Sequence, residues 1–148
     1  MSISVVILTY NAEETIGNTL SSLKDLSDDI HVVDSGSTDS TLEILKKFSP
    51  NLVSHPFENY SAQRNWAIDN LNFKYDWQLH LDADERLSDE LFERLNKLKD
   101  SFSEGVDGYH IPRLMHFMGK PIRHGGQFPI WHLRLFRRGK GRCEARLY

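Results

Sequence analysis

The sequence predicts an α/β domain built on a mostly parallel sheet, with helices on both faces and an antiparallel C-terminal portion. Three observations carry this. Short β-branched runs alternate with helical periodicity over the first hundred residues, the pattern of βαβ units. The run Trp77-Gln78-Leu79-His80-Leu81 suits a buried central strand and stops at Asp82-Ala83-Asp84, an edge at which open α/β sheets bind ligands. After Gly105 the alternation ends, and two strand-like stretches follow with Gly and Pro between them instead of a helix.

Each element has a local reason. Ile3 to Thr9 is rich in β-branched residues and reads as a strand ended by Tyr10-Asn11. Ile16, Leu20 and Leu23 then recur at helical spacing, with Glu13 and Glu14 expected in the first turn, where carboxylates favour the helix dipole. Ile30 to Val33 is a second strand running into the turn-rich Asp34-Ser35-Gly36-Ser37-Thr38-Asp39. Leu42, Leu45 and Phe48 mark a helix closed by Pro50, and Leu52 to His55 is a weak third strand. Ser61 is expected to cap a helix from Ala62 to about Leu71. Ser88 is expected to cap another, whose Leu91, Leu95, Leu98 and Phe102 form a core-facing stripe. Tyr109 to Phe117 and Ile130 to Arg137 read as antiparallel strands, as hairpins or a flap over one end of the sheet.

At 148 residues the chain holds one core and is too short for two ordinary domains. Its 39% hydrophobic and 26% charged residues exclude a low-complexity or disordered chain. The run Ile3 to Leu8 is too short for a membrane span, so neither a signal peptide nor a transmembrane helix is expected, and a cytoplasmic location is. Cys143, the single cysteine, has no disulfide partner or metal-ligand spacing and reads as an inert thiol. The net charge of −3 hides an asymmetry: residues 1–112 carry nine Lys or Arg against twenty Asp or Glu, and residues 113–148 carry nine against one. Such a basic segment either faces phosphate-bearing partners or an anionic membrane surface, or balances the acidic body.

Three of the four early strands end in groups suited to a nucleotide: Thr9-Tyr10-Asn11, Asp34-Ser35 and Asp82-Ala83-Asp84. Right-handed crossovers bring these ends to one edge. Thr9 can bind base or phosphate, Tyr10 can pack on base or ribose, and Asp34 can accept from a base imide. The competing local readings are core for Tyr10, a helix cap for Asn11 and an Asx-turn for Asp34. Two nearby carboxylates repel unless a cation joins them, and hard oxygen ligands suit Mg²⁺ or Mn²⁺. Their competing reading is a strand end that caps the next helix. No Gly-x-x-x-x-Gly-Lys-Ser/Thr or Gly-x-Gly-x-x-Gly is present, and no Gly-x-Ser-x-Gly or His-Glu-x-x-His. His80, His110, His116, His124 and His132 read as packing or surface residues, with an acceptor-site role for one of them the alternative.

SVVILTYNAEETIGNTLSSL (4–23), DIHVVDSGSTDST (29–41), QRNWA (63–67) and LDADERL (81–87) together resemble family 2 of the glycosyltransferases, whose fold is the Rossmann-like GT-A. GYHIPRLMHFMGKPIRHGG and LRLFRRGKGR resemble the branch that includes bacterial lipopolysaccharide-core glucosyltransferases. The resemblance implies metal-dependent inverting transfer of a sugar from a nucleoside diphosphate, commonly uridine diphosphate, to a hydroxyl of a glycan or glycolipid acceptor. It places Thr9, Tyr10, Asn11 and Glu13 in the donor pocket, Asp34 at the base, Arg64 at the nucleotide or its diphosphate, Asp82 at the ribose and metal region, and Asp84 on the ion, Mg²⁺ or Mn²⁺. By it, residues 1–104 bind the nucleotide sugar and 105–148 begin an acceptor side, with a peripheral place at the cytoplasmic face of the inner membrane. A nucleic-acid partner rests on charge alone and is not expected. The branch's catalytic base is expected just after the Arg-rich strand. No segment there matches it, so a fragment without its base is the expectation; Glu144, the single acid after Asp107, is the alternative.

Overall fold

The computed structural model describes residues 2–100, 102, 104–113, 115–117, 120–122 and 130–143. In chain order the elements are β1 (Ile3–Thr9), α1 (Ile16–Leu23), β2 (Asp29–Asp34), α2 (Thr41–Phe48), β3 (Asn51–Ser54) and α3 (Tyr60–Asn70). They continue with β4 (Trp77–Asp82), α4 (Asp89–Leu98), β5 (Gly108–Arg113), β6 (Met115–Phe117), β7 (Lys120–Ile122) and β8 (Ile130–Arg137). Six strands form one sheet in the order β3-β2-β1-β4-β8-β5, and β6 and β7 pair separately. β1 lies parallel to β2 and β4, and β2 to β3. β8 runs antiparallel to both β4 and β5.

β1 is buried along its whole length, as its apolar sequence demands of a central strand. Ile3, Val5 and Ile7 face a core shared with α1, α2 and α4 through Ile16, Leu20, Leu23, Leu45 and Leu95. Val6 and Leu8 face the other side, where α3 packs through Ala67 and Trp66 with Phe73. The two-residue period of the strand therefore feeds two cores, and helices flank both faces as the sequence predicts.

Three expectations are corrected. α1 starts at Ile16 with no acid in its first turn; the Glu13 carboxylate instead accepts from the Ser40 N–H at 2.9 Å, at the start of α2. α3 is capped by Asn59, not Ser61: the extended backbone of Asn59 lets its Oδ1 accept from the Ala62 N–H at 2.8 Å, which leaves Ser61 inside the helix. Ser88 caps α4 as expected, accepting from the Leu91 N–H. The third correction concerns the C-terminal portion. Its strands are antiparallel, but β8 and β5 extend the main sheet instead of covering its end, and the stretch 109–117 divides into β5 and β6. Alternation explains the insertion: Leu135 joins the core on one face of β8, and Phe136 stacks on His80 on the other, centroids 4.8 Å apart.

Candidate functional site

The strand order reverses between β1 and β4, the topological switch point at which such sheets bind ligands. A cavity of about 890 Å³ opens there, lined by Leu8 to Ala12, Thr15, Ser35, Pro56, Phe57, Tyr60, Gln63 and Asp82 to Asp84. That volume is in the range of small-molecule sites. A smaller hollow of about 270 Å³ lies among Lys24, Asp28, Phe48 and Asn51, on the opposite edge, away from these strand ends.

Two loops that frame the cavity are bonded to each other. Asn11, at φ 44°, donates its N–H to the Ser37 hydroxyl, and its Oδ1 accepts from the N–H groups of Thr38 and Asp39. The Ala12 N–H reaches the Thr41 hydroxyl at 2.8 Å, and the Glu13 N–H reaches Asp39 at 3.2 Å. Asp34 is 2% exposed and accepts four hydrogen bonds, from the Thr9 and Ser37 hydroxyls and the N–H groups of Gly36 and Ser37. A carboxylate has about four acceptor sites, and all are occupied. In this structure the carboxylate holds the Asx-turn that was its competing local reading. Thr9, Asp34, Asn11 and Glu13 build the shape of the pocket, and Tyr10, 60% exposed, is the side chain they present.

At the end of β4 a charge cluster forms that includes Arg64, Asp82, Glu85 and Arg134. Arg64 from α3 donates to Asp82 at 2.7 Å. Arg134 from β8 holds Glu85 at 3.1 and 3.3 Å and lies 3.7 Å from Asp82. The Glu85 carboxylate in turn accepts from the Asp82 N–H at 2.7 Å. Burial pulls the Arg64 pKa down and Asp82 opposes that shift. Arg64 is thus placed against Asp82, 12% exposed, rather than open to the cavity. The turn after β4 is further fixed by the Glu85 N–H on the Asp82 carbonyl and by Thr19, which donates to the Ala83 carbonyl.

Two arginines thereby neutralise Asp82 and Glu85, and Asp84 is left over. It is exposed, lines the cavity, and makes no hydrogen bond or ion pair with the described residues. Among the described residues no group of three or more His, Cys, Asp or Glu forms a metal cage. Mg²⁺ and Mn²⁺ need none, because they keep waters and share phosphate oxygens with one or two carboxylates. The donor set fits such an ion through Asp84.

His80 lies in the core. Burial, then the nearby Arg64 and Arg134 charges, push its pKa well below the usual histidine value, so it is neutral. His110 is exposed. Glu144 and His124 lie outside the described residues, as do the side chains of His116 and His132. Four arginines of the basic tail are bonded to groups elsewhere in the protein. Arg134 joins the cluster; Arg137 lies near Asp107 and donates to the Val106 carbonyl. Arg138 donates to the carbonyls of Phe73 and Tyr75, and Arg142 forks onto Asp69 at 2.6 and 2.8 Å. Arg134, Arg137 and Arg142 thus pair with acids of the body, and Arg138 with backbone carbonyls.

A family model described as glycosyl transferase family 2 matches residues 4–145. The chain belongs to this family. Among relatives, it is 30% identical over 149 residues to the lipopolysaccharide core biosynthesis glycosyltransferase LpsC of Rhizobium meliloti, covering 97% of this chain and 54% of that one. It is 33% identical over 118 residues to an uncharacterized glycosyltransferase of Rickettsia typhi, covering 79% of this chain and 40% of the relative. The chain thus spans about half the length of these family 2 relatives. S. aureus TarS in complex with UDP-GlcNAc is 29% identical with a TM-score of 0.53, over 78% of this chain and 38% of TarS. Glucosyl-3-phosphoglycerate synthase from Mycobacterium tuberculosis, in complex with Mn²⁺, UDP and phosphoglyceric acid, is 26% identical with a TM-score of 0.56, over 72% and 41%. The sheet, mostly parallel with antiparallel C-terminal strands, is the GT-A arrangement.

Sequence reasoning missed Pro56, Phe57, Tyr60 and Gln63 of the lining, and Arg134 and Glu85 of the cluster. Pro56, Phe57 and Tyr60 stand in a stretch without strand or helix periodicity, and Gln63 stands in the QRNWA motif without a role of its own.

Proposed function

We propose that the chain supplies the donor site of an inverting glycosyltransferase that moves a sugar from a nucleoside diphosphate, with uridine diphosphate the favoured carrier, to a hydroxyl of a cell-envelope glycan such as lipopolysaccharide core. The observation that carries this is the unengaged Asp84 carboxylate at the mouth of a nucleotide-sized cavity, beside Asp82 and Glu85, which Arg64 and Arg134 hold. Support comes from TarS, solved with UDP-GlcNAc, and from the Mycobacterium synthase, solved with UDP and Mn²⁺. The glycan class rests on LpsC.

In this reading Tyr10 packs on the nucleoside, and Thr9, Asn11, Glu13 and Asp34 hold the loops that shape its pocket. Arg64 and Arg134 fix Asp82 towards the ribose side. Asp84 would hold Mg²⁺ or Mn²⁺, which supplies charge stabilisation of the departing diphosphate when bound. The body of the donor site is formed by residues 1–104, with β8 of the acceptor-side portion, 105–148, contributing Arg134. In this reading the enzyme works at the cytoplasmic side of the envelope, where nucleotide sugars are the donors. No helix of the described residues is long and apolar enough to cross a membrane.

The test is a screen of nucleotide sugars with Mn²⁺ and a deacylated lipopolysaccharide-core acceptor, read as sugar transfer and anomeric configuration of the product. Transfer from a UDP-sugar with inverted configuration supports the reading. Retained configuration would overturn the inverting step, and metal-dependent donor binding without transfer would favour a nucleotide-sugar-binding module that lacks its base.

A further inference from the structure

We infer that Arg134 and Glu85 are positioning residues for the cation: a bulge on β8 aims Arg134 at the end of β4, and through Glu85 it holds the turn that presents the Asp84 carboxylate. The inference rests on the donor site proposed above.

The register of the sheet singles out Arg134. β8 pairs with β5 as Leu135 with Tyr109 and Leu133 with His110, so Arg134 is the extra residue between two consecutive pairs. A bulge of this kind bends its strand and re-aims a side chain. On its other side, the pairing of β8 with β4 ends at Leu135 opposite Leu79. Beyond that pair the Arg134 guanidinium takes over from the backbone ladder. It reaches the His80 carbonyl at 3.4 Å, forks onto the two Glu85 oxygens at 3.1 and 3.3 Å, and lies 3.7 Å from Asp82. Both side chains of the fork are largely buried, at 14% exposure each, and a forked pair fixes direction as well as distance.

What this pair holds is the turn that carries Asp84. Glu85 Oε1 accepts from the Asp82 N–H at 2.7 Å, and the Glu85 N–H returns to the Asp82 carbonyl at 3.0 Å. Glu85 therefore closes the turn with both its side chain and its backbone, and Asp84 stands between the two bonded residues. A cation bound through one or two carboxylates, water and phosphate takes few protein ligands, so their placement matters. Groups behind a ligand that orient it raise its affinity for the ion. Charge and geometry act in opposite directions at Arg134. As a positive charge it repels Mn²⁺, so by charge alone its removal tightens the ion; as a strut, its removal loosens it.

The experiment measures UDP affinity by calorimetry in Mn²⁺ and in chelator and reads the ratio of the two. It compares the chain with Arg134→Gln, Glu85→Gln, the double variant and Arg142→Gln, which breaks the fork onto Asp69 instead. Thermal unfolding checks that each variant folds. The ratio should fall about tenfold in Arg134→Gln and in Glu85→Gln, fall no further in the double variant, and stay unchanged in Arg142→Gln. A ratio that holds or rises in Arg134→Gln overturns the inference, as do additive losses in the double variant. An equal fall in Arg142→Gln overturns it too, by marking a general loosening of the C-terminal portion. Should Arg134→Gln fail to fold, an unchanged ratio in Glu85→Gln is decisive against it, because that variant keeps an oxygen for the Asp82 N–H. No gain from Mn²⁺ in the unaltered chain overturns the metal reading of the donor site itself, and this inference with it, which separates the two failures.

Discussion

Asp82 and Asp84 are two residues apart and differ in what they hold: the first is fixed by Arg64 at 2.7 Å, whereas the second is left facing the cavity. Their spacing was legible in the sequence, but their division of labour was not. It depends on Arg64 and Arg134, which only the fold brings beside β4. His80 makes a second residue-scale point. Its pKa is lowered in the folded chain by burial and by the two arginines, so the unfolded chain binds the extra proton more readily. The His80 contribution is therefore fully present above the unfolded histidine value near 6.5 and is lost as pH falls below it. Thermal unfolding between pH 7.5 and 5 should show a fall in midpoint that is smaller in His80→Gln. An equal fall in both proteins would remove His80 as the cause.

Elements were read well where burial dictated them and poorly where a distant side chain set their ends. β1 and β4 were legible because their Ile, Val, Leu and Trp residues suit buried central strands. The α1 and α3 starts were not, because Glu13 serves α2 and Asn59 precedes the expected cap. Asn59→Ala should cost about 1 kcal/mol of stability by leaving the Ala62 N–H unsatisfied, measured by urea unfolding against Ser61→Ala, which should cost little. The reverse order would restore Ser61 as the cap. The end of β8 offers a sharper case. A Cβ on Gly141 would collide with the Phe136 ring, which stacks on His80. Gly141→Ala should destabilise the chain by roughly 1–3 kcal/mol through displacement of that ring. A neutral effect would show that the crossing is looser than described.

At the scale of the whole molecule, topology turns scattered sequence signals into one site. The ends of β1, β2 and β4 meet at one edge, as parallel strands with right-handed crossovers require, and this much was legible from strand spacing. Asn11, Glu13 and Asp34 were identified as part of that edge; Asn11 and Glu13 bond to the neighbouring loop, and Asp34 bonds within its own turn. The pairing of Arg134, Arg137, Arg138 and Arg142 was illegible because it depends on acidic and carbonyl partners far away in the chain. The central claim is that this edge binds a nucleoside diphosphate through a divalent ion held by Asp84. Its most direct test is calorimetric titration with UDP, in Mn²⁺ and in chelator, of the chain and of Asp84→Asn. The account predicts that Mn²⁺ strongly tightens binding to the chain and does little for the variant, with both alike in chelator. Equal affinity of the unaltered chain with and without metal, or a variant that gains as much from Mn²⁺, would contradict it.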